Sequence, residues 1–253
     1  MFTGVGVALV TLFDDEGALD APATAELAAS LVDVGVRGVV VAGTTGEAAT
    51  LDPDERIALL AAVRAAVPSS VPVIAGTGAP STRQAVRLTR DALNHGADAV
   101  LVLSPPAASD VRPYYDDVAA IAGGPDRVLA YHYPAVSPPG IPVPVLCDLP
   151  VSGCKDSSGD AGRLLEEVTS FSGALYTGSA ALLAYAGPMG CAGAILSLAN
   201  LDPERCARAF SGDVDAQRAL DASNRASRLR FPTALKELVA ERFGTSTTVR
   251  AAG

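Results

Sequence analysis

Eight short runs rich in Val, Ala and Leu alternate along the chain with stretches that have the composition and length of helices. This alternation is typical of βαβ units and a parallel sheet. The predicted strands are residues 5–10, 38–42, 72–75, 99–103, 127–132, 152–155, 174–177 and 192–197. Eight units favour closure into a (β/α)8 TIM barrel, an α/β fold whose active sites lie at the carboxyl ends of the strands.

The segments between the strands predict the surrounding helices. Several begin with an aspartate next to a proline, as Asp52 and Pro53 do, which is a common start signal of a helix. These helices are predicted at residues 21–34, 53–66, 81–95, 112–122, 143–147, 159–169 and 179–186. Residues 1–200 would form the barrel. Residues 201–253 predict a short C-terminal helical extension packed on it, with helices at 203–210, 214–230 and 232–243, in one structural domain overall.

The charge of the chain argues against two classes of partner. Its 28 acidic residues exceed its 19 basic ones, and the net charge of −9 disfavours binding to a nucleic-acid backbone. No apolar run approaches the roughly 20 residues that a membrane-spanning helix needs. The chain also begins without a basic leader segment. We therefore expect a cytoplasmic protein that binds neither nucleic acid nor membranes.

Metal and dinucleotide sites are not indicated. The two histidines, His95 and His132, are far apart in sequence, and the four cysteines form no CxxC pair. The run Gly76-Thr77-Gly78 lacks the full GxGxxG pattern of a dinucleotide site. The sequence therefore predicts no metal site and no nucleotide cofactor.

Lysine is scarce, because Lys155 and Lys236 are the only two lysines in the chain. Lys155 ends the small, apolar sixth strand, where desolvation would lower the pKa of its amine. A neutral amine at a strand end is what attack on a ketone requires, so Lys155 is a candidate for Schiff-base chemistry. The alternative is a structural lysine paired with Asp156 or Glu47. Lys236 lies in an amphipathic helical pattern, which predicts a solvated face.

Two other strand ends carry groups suited to such chemistry. The segment Gly43-Thr44-Thr45-Gly46-Glu47 offers two hydroxyls and consecutive backbone amides, which can bind a carboxylate. Alternatively it is a plain βα turn, whose glycines supply only backbone freedom. Tyr131 ends the fifth strand and is either a site residue or a core aromatic.

With these residues in view, the chain resembles the dihydrodipicolinate synthase/N-acetylneuraminate lyase family of class I, Schiff-base, pyruvate-dependent aldolases. The resemblance runs along nearly the whole chain. Four segments carry it: residues 43–47, Tyr131 with Pro134, residues 153–160, and residues 193–195.

The resemblance implies roles for individual residues. Lys155 would form the imine with a 2-oxo acid, and Tyr131 would relay protons near it. The protonated imine is the electron sink, so the resemblance implies no metal or organic cofactor. It also implies a homo-oligomer, a dimer or a tetramer. The expected catalytic residues are Lys155, Tyr131 and Thr45, and the expected substrate-binding residues are Gly43, Thr44, Thr45, Gly178 and Ile195.

Two loops depart from the synthase pattern of that family. After the fourth strand the synthases have a run similar to Thr-Pro-Tyr-Tyr, in which a tyrosine reaches the neighbouring subunit's site. Here the run is Ser104-Pro105-Pro106-Ala107, without a tyrosine. Tyr114 and Tyr115 follow several residues later. After the fifth strand, Val136 stands where synthases have an arginine that binds the partner's carboxylate.

These departures favour a partner other than that of the synthases. The run Lys-Asp-Ser-Ser-Gly-Asp at residues 155–160 resembles family members that cleave 2-keto-3-deoxy sugar acids. The sequence therefore indicates a lyase or aldolase that makes or breaks a bond between pyruvate and an aldehyde. Two alternatives are a dihydrodipicolinate synthase, joining pyruvate to aspartate semialdehyde with an altered proton relay, and a non-catalytic homologue that binds a 2-oxo acid.

Overall fold

Eight parallel strands close into a barrel in chain order in the computed structural model, which describes residues 1–251. The predicted α/β barrel is thus confirmed, and most predicted strands shift by one or two residues at their ends. The strands are β1 Gly4–Ala8, β2 Val39–Val41, β3 Val73–Gly76, β4 Ala99–Leu103, β5 Val128–His132, β6 Gly153–Asp156, β7 Ala174–Thr177 and β8 Gly193–Leu196.

In the described part of the chain, ten α-helices surround the barrel and extend beyond it. The predicted seventh helix divides into a 3₁₀ turn, Ala180–Leu182, and one short α-helix. The helices are α1 Ala21–Asp33, α2 Pro53–Ala66, α3 Thr82–Asn94, α4 Arg112–Ala122, α5 Val143–Asp148, α6 Ala161–Ser170, α7 Leu183–Ala186, α8 Pro203–Phe210, α9 Val214–Arg228 and α10 Thr233–Phe243. Within residues 1–251 no helix combines the length and apolarity needed to cross a membrane.

The predicted start signals of several helices act as caps. Asp20 accepts a hydrogen bond from the Ala23 amide at the start of α1, and Asp202 accepts one from the Arg205 amide in α8. At α2, Asp52 and Glu55 form a reciprocal capping box. Each cap satisfies amides that a helix leaves unpaired at its first turn, which fixes where these helices begin.

The strands are apolar on both faces because helices cover one face and the barrel interior the other. Side chains alternate between the two, so Cys154 on β6 packs in the layer beneath the helices while its neighbour Lys155 faces the interior. The interior is filled by buried side chains that include Ala8, Val40, Ile74, Leu101, Leu129 and Ile195.

An aromatic pair closes the amino-terminal end of the barrel. The rings of Phe2 and Tyr176 lie 4.8 Å apart, and the Tyr176 hydroxyl donates a 2.6 Å hydrogen bond to the Phe2 carbonyl. A Cβ at Gly38 would lie 2.5 Å from the Phe2 ring, so a side chain at Gly38 would displace that ring. The barrel is therefore packed at this end, and space for a ligand remains at the carboxyl ends of the strands.

Lys236 is fully buried, and the prediction that it lies on a solvated face is wrong. Its Nζ lies 2.6 Å from Glu47 Oε1, donates a 2.6 Å hydrogen bond to the Thr248 carbonyl, and stands 4.4 Å from the centre of the Phe13 ring. Glu47, Phe13 and the segment around Thr248 thus surround the amine that the sequence pattern assigned to solvent. The amine is tolerated there because a carboxylate pairs with it.

Candidate active site

A cavity of about 280 Å³ opens at the carboxyl ends of the strands. Register places Tyr131 of β5 directly beside Lys155 of β6. Most of the residues that the sequence indicated line this one cavity: Thr44, Thr45, Tyr131, Lys155, Gly178 and Ile195. Gly43 is half-buried and precedes Thr44, but it does not line the cavity itself.

Lys155 is the buried amine of this cavity. Only 6% of the residue is exposed, and within residues 1–251 its Nζ forms no ion pair with a carboxylate. The nearest π system is the Tyr131 ring, whose centre lies 4.4 Å from Nζ. Burial lowers the pKa of Lys155 to about 7, because an ammonium ion loses its hydration there. A large fraction of the amine is therefore neutral at physiological pH.

The two carboxylates that the sequence offers as partners of Lys155 are engaged elsewhere. Asp156 forms a 2.8 Å ion pair with Arg163 of α6, on the outer side of β6. Glu47 pairs with Lys236. The structural alternative for Lys155, a pair with one of these two acids, is therefore not what the structure contains.

Tyr131 supplies a phenol next to the amine. Its hydroxyl lies 3.4 Å from Ser157 Oγ and also interacts with the Thr44 side chain. Burial raises the pKa of Tyr131 to about 12, although the bonds to Ser157 and Thr44 oppose the rise. At neutral pH the phenol is therefore protonated and can donate a proton. The Tyr131 ring stacks against the Tyr133 ring, at 5.7 Å between ring centres, which restricts the orientation of the Tyr131 ring.

The loop after β2 offers unused backbone donors at the cavity wall. The amides of Thr44, Thr45 and Gly46 donate no hydrogen bond to another backbone group within residues 1–251. The loop is held in place from behind, since Thr11 Oγ1 donates a 2.8 Å bond to the Gly46 carbonyl and Glu47 takes the left-handed conformation, with φ of 55°. Successive free amides and two threonine hydroxyls suit a carboxylate.

Gly178, after β7, leaves space that a side chain would fill. A Cβ at this position would lie 1.9 Å from Ser157 Oγ and 3.0 Å from Lys155 Cε. A larger residue would therefore push against the amine-bearing side chain itself. Ile195 is fully buried and lines the same cavity with an apolar surface.

Three cavity residues come from the helical extension, and the sequence analysis did not anticipate them. Asn224 and Arg228 lie on α9, and Phe231 follows that helix. They belong to no strand end and to no motif. The sequence carried no local signal for their position, which depends on how α9 packs on the barrel.

Neither Tyr114 nor Tyr115 replaces the tyrosine that is absent from the loop after β4. The Tyr114 hydroxyl accepts a 3.0 Å bond from the Ala79 amide, and Tyr115 donates a 2.7 Å bond to the Val102 carbonyl. Both side chains are buried under α4, away from the cavity. Val136 is exposed and does not line the cavity either.

An acidic pair supports β6 from behind. Arg163 bridges Asp156 and the fully buried Glu167, at 2.8 and 2.7 Å. Burial, reinforced by the charge of Asp156, raises the pKa of Glu167 to about 8 in spite of the nearby guanidinium. One cation thus contacts two carboxyl groups, of which Glu167 is largely protonated at neutral pH.

Comparison with known proteins identifies the family of this chain. The model of the dihydrodipicolinate synthetase family matches residues 1–238. The chain belongs to this family. It is 39% identical over 213 residues to an uncharacterized DapA-like lyase of Halobacterium salinarum, covering 79% of this chain and 68% of that protein. It is 36% identical over 235 residues to the 4-hydroxy-tetrahydrodipicolinate synthase of Pseudomonas aeruginosa, covering 87% of this chain and 80% of the synthase.

Solved structures agree with this assignment. The dihydrodipicolinate synthase of Acinetobacter baumannii, solved in complex with pyruvate, superposes with a TM-score of 0.90 at 26% identity, covering 99% of this chain and 92% of that one. Family membership confirms the resemblance drawn from the sequence and the predicted enzyme class. The chain is a carbon–carbon lyase of the class I aldolase type.

Proposed function

We propose that Lys155 forms a Schiff base with pyruvate, and that the protein makes or breaks a carbon–carbon bond between pyruvate and an aldehyde, as in 2-keto-3-deoxy sugar acids. The observation that carries the proposal is the state of Lys155: a buried amine on a cavity, without a carboxylate partner among residues 1–251, whose pKa is lowered to about 7. Such an amine is nucleophilic at neutral pH.

The loop after β2 is suited to position the 2-oxo acid. The backbone amides of Thr44 and Thr45, with their hydroxyls, would bind the carboxylate at the wall of the cavity. Thr45 acts in catalysis through this placement, because a fixed carboxylate holds the C2 carbonyl in reach of the amine. Gly178 leaves room beside Lys155 Cε and the buried Ile195 adds an apolar wall, which would suit the methyl end of pyruvate.

Imine formation then follows from the groups at hand. The neutral amine of Lys155 attacks C2 and yields a carbinolamine. The hydroxyl of that intermediate leaves as water when it receives a proton from the phenol of Tyr131, and the nitrogen lone pair forms the C=N bond. Tyr131 recovers a proton through Ser157 and Thr44, the two side chains that its hydroxyl contacts.

The protonated imine provides the electron sink for the carbon–carbon step. In cleavage, the C4 hydroxyl of the bound hydroxy-oxo acid gives its proton to the relay of Tyr131 and Ser157, the aldehyde departs, and the electron pair of the C3–C4 bond moves into an enamine. Protonation of the enamine at C3 and hydrolysis of the imine release pyruvate and restore the amine of Lys155. The reverse sequence joins the enamine to an aldehyde. These steps call for no metal ion or organic cofactor.

The walls of the cavity favour a hydroxylated partner. Serine and asparagine side chains line much of the cavity beyond Lys155: Ser157, Ser158, Ser179, Ser197 and Asn224. Hydroxyl and amide groups of this kind exchange hydrogen bonds with the hydroxyls of a sugar-derived aldehyde. A dihydrodipicolinate synthase remains the second candidate, favoured by the 36% identity to the Pseudomonas aeruginosa enzyme.

A turnover assay separates these functions. Purified protein is incubated with 2-keto-3-deoxygluconate or 2-keto-3-deoxygalactonate, and released pyruvate is measured; parallel reactions contain pyruvate and aspartate semialdehyde. We expect pyruvate release from a 2-keto-3-deoxy acid and none from the Lys155→Ala variant. Condensation with aspartate semialdehyde at a higher kcat/KM would instead assign the synthase activity. Imine trapping without any turnover would assign a binding protein.

We further propose that the protein acts in the cytoplasm as a homo-oligomer, a dimer or a tetramer. Two neighbouring loops expose an apolar surface, formed by Pro106, Ala107, Ala135, Val136, Pro138 and Pro139. The Ala107 amide joins these loops by donating a 2.7 Å bond to the Pro138 carbonyl. Exposed apolar surface of this kind favours self-association. Light scattering tests the state, and we expect Val136→Asp to lower the oligomer mass while the control Val214→Asp, at an exposed position of α9, leaves it unchanged.

A further inference from the structure

The side chain of Glu47, in the loop after β2, is bound by residues from the far end of the chain. We call residues 244–251, which follow α10, the strap. Glu47 Oε1 lies 2.6 Å from Lys236 Nζ on α10, and Oε2 accepts bonds of 2.8 and 2.7 Å from the amides of Arg250 and Ala251 in the strap. Within residues 1–251, every polar partner of this carboxylate therefore comes from α10 or the strap, and the two strap amides are 203 and 204 positions away in sequence.

Glu47 also closes the turn that contains Thr44 and Thr45. Its backbone takes the left-handed conformation, with φ of 55°, which residues other than glycine rarely adopt. In this conformation its amide donates a 3.2 Å bond to the Thr44 carbonyl, and the amide of Ala48 donates one of 3.2 Å to the Gly43 carbonyl. A conformation of this kind persists when its surroundings hold it in place. The bonds to the Glu47 side chain therefore help to fix the turn whose free amides we assign to the substrate carboxylate.

Arg250 anchors the strap beside this turn. Its guanidinium donates bonds of 2.8 and 2.6 Å to the two oxygens of Glu55 on α2, and bonds of 2.5 and 3.2 Å to the carbonyls of Gly17 and Thr50. It also lies 4.3 Å from the centre of the buried Phe13 ring. These contacts fix the backbone of Arg250, whose amide is one of the three donors to Glu47.

Attachment of the helical extension does not by itself explain these contacts. Arg242 on α10 also forms bonds between elements, to Glu204 at 3.1 and 3.2 Å and to the Leu201 carbonyl. Its partners belong to the extension itself, whereas the partners of Arg250 lie in the loops after β1 and β2 and at the start of α2. Arg242 is thus a comparison residue with the same charge and the same kind of partner, remote from the loop after β2.

We infer that the strap positions the amides of Thr44 and Thr45 for the carboxylate of the 2-oxo acid, and that Arg250 is a positioning residue that acts through Glu47. The inference rests on the proposed function, in which this loop binds the substrate. Arg250 does not line the cavity and does not touch the substrate itself. By thermodynamic linkage, if the attached strap strengthens binding of the carboxylate, a bound carboxylate strengthens attachment of the strap by the same factor.

Borohydride trapping of pyruvate at Lys155 measures the first half of this relation. The half-saturating concentration of pyruvate and the trapping rate at saturation are determined separately for wild type, Arg250→Ala, Arg250→Lys and the matched control Arg242→Ala. Glu55→Gln is a second test variant, since it removes the charge that holds Arg250 and keeps an oxygen for the Asp52 amide. All proteins are compared at a temperature at which their denaturation curves show them to be folded.

We expect Arg250→Ala to raise the half-saturating concentration of pyruvate about 5- to 30-fold, a usual size for coupling between two sites. Its trapping rate at saturation should change less than about twofold, because a positioning defect in the ground state leaves the bound reaction intact. The midpoint of its pH profile should stay near 7, since the surroundings of Lys155 are unchanged. Arg250→Lys should recover part of the affinity, Glu55→Gln should lose part of it, and Arg242→Ala should behave as wild type.

Hydrogen–deuterium exchange measures the second half of the relation. Exchange is followed by mass spectrometry in peptides that cover the strap and in peptides that cover α8, to which Arg242 is bound through Glu204. Pyruvate should slow exchange of the strap in wild-type protein and leave α8 unchanged. In Arg250→Ala the strap should exchange faster than in wild type when pyruvate is absent.

The failure of this inference and the failure of the proposed function give different results. If wild-type protein traps no pyruvate at all, the proposed function is overturned, and the inference falls with it. If pyruvate is trapped, an unchanged half-saturating concentration in Arg250→Ala, or equal increases in Arg250→Ala and Arg242→Ala, would overturn the inference alone. Exchange of the strap that pyruvate leaves unchanged would overturn it as well.

Discussion

The Nζ atom of Lys236 lies 2.6 Å from Oε1 of Glu47, and this buried ion pair joins the last helix to the loop that carries Thr44 and Thr45. The other carboxylate oxygen of Glu47 accepts bonds of 2.8 and 2.7 Å from the amides of Arg250 and Ala251. Arg250 is itself held by Glu55, at 2.6 Å. The segment after α10 is thereby fastened to the loop that we assign to the substrate carboxylate.

We predict that Lys236→Met lowers the free energy of unfolding by about 3–5 kcal/mol, because it leaves the carboxylate of Glu47 buried without its partner. Chemical denaturation measures the change. The double variant with Glu47→Gln should recover a large part of the loss. The control is Glu237→Gln, at a residue on the same helix as Lys236. This variant breaks the exposed pair between Glu237 and Arg230 and should lower the free energy of unfolding by less than about 1 kcal/mol. Equal losses in both single variants would contradict a special role of the buried pair.

Glu167 predicts a pH dependence of stability. Its pKa is about 8 in the folded protein, above the ordinary 4.5, so the folded state holds a proton that the unfolded state releases. The stability that this proton provides is complete below pH 4.5 and is lost as the pH rises through about 8. We expect the free energy of unfolding of wild-type protein to fall relative to that of Glu167→Gln between about pH 5 and pH 9.

Denaturation curves of the wild type and of Glu167→Gln across that range measure the difference between their free energies of unfolding. Contributions from titratable groups that the two proteins share cancel in this difference. Glu166→Gln is the matched control, because Glu166 is exposed on the same helix. Its difference from wild type should vary less with pH than that of Glu167→Gln, because Glu166 is not buried. A difference for Glu167→Gln that is independent of pH would show that Glu167 is ionised throughout.

The lowered pKa of Lys155 predicts the pH profile of imine formation. The rate of borohydride trapping with saturating pyruvate should rise between about pH 6 and pH 8 and become level above that, with a midpoint near 7. An ordinary lysine, with a pKa of about 10.4, would instead gain tenfold per pH unit throughout this range. Trapping rates corrected for the background of Lys155→Ala measure the profile. A steady rise to pH 9 would contradict the desolvated state of the amine.

Tyr131→Phe should slow trapping without abolishing it. The variant keeps the ring that packs beside Lys155 and removes the proton donor, so loss of water from the carbinolamine should slow about 10²-fold or more. Single-turnover trapping at saturating pyruvate measures the rate. Tyr185→Phe removes a hydroxyl outside the cavity and should be neutral. An unchanged rate in Tyr131→Phe would assign the proton transfer to another group.

The barrel and the floor of the cavity were predictable because their signals are local. Each strand is a short apolar run, and Lys155 stands out because the sequence has only one other lysine. In a closed parallel barrel all carboxyl ends meet on one side, so residues as distant as Thr44 and Lys155 had to converge once the fold was known.

The mouth of the cavity and the environment of Lys236 were not predictable, because both depend on tertiary packing. Arg228 lies at the cavity because α9 packs on the barrel. The spacing of residues along the sequence does not indicate this packing. Lys236 has charged neighbours at helical spacing, a pattern that ordinarily indicates solvent. Its burial follows from contacts with Glu47, Phe13 and Thr248, which all lie outside α10.

The central claim is that the amine of Lys155 carries the reaction, and reductive trapping with peptide mass analysis tests it most directly. Wild-type protein, Lys155→Ala and Lys236→Arg are treated with pyruvate and borohydride, digested, and analysed for the mass of a reduced pyruvyl adduct. We predict one adduct, on the peptide that contains Lys155, in the wild type and in Lys236→Arg, and none in Lys155→Ala. An adduct on Lys236, a persistent adduct in Lys155→Ala, or no adduct in wild-type protein would contradict the account.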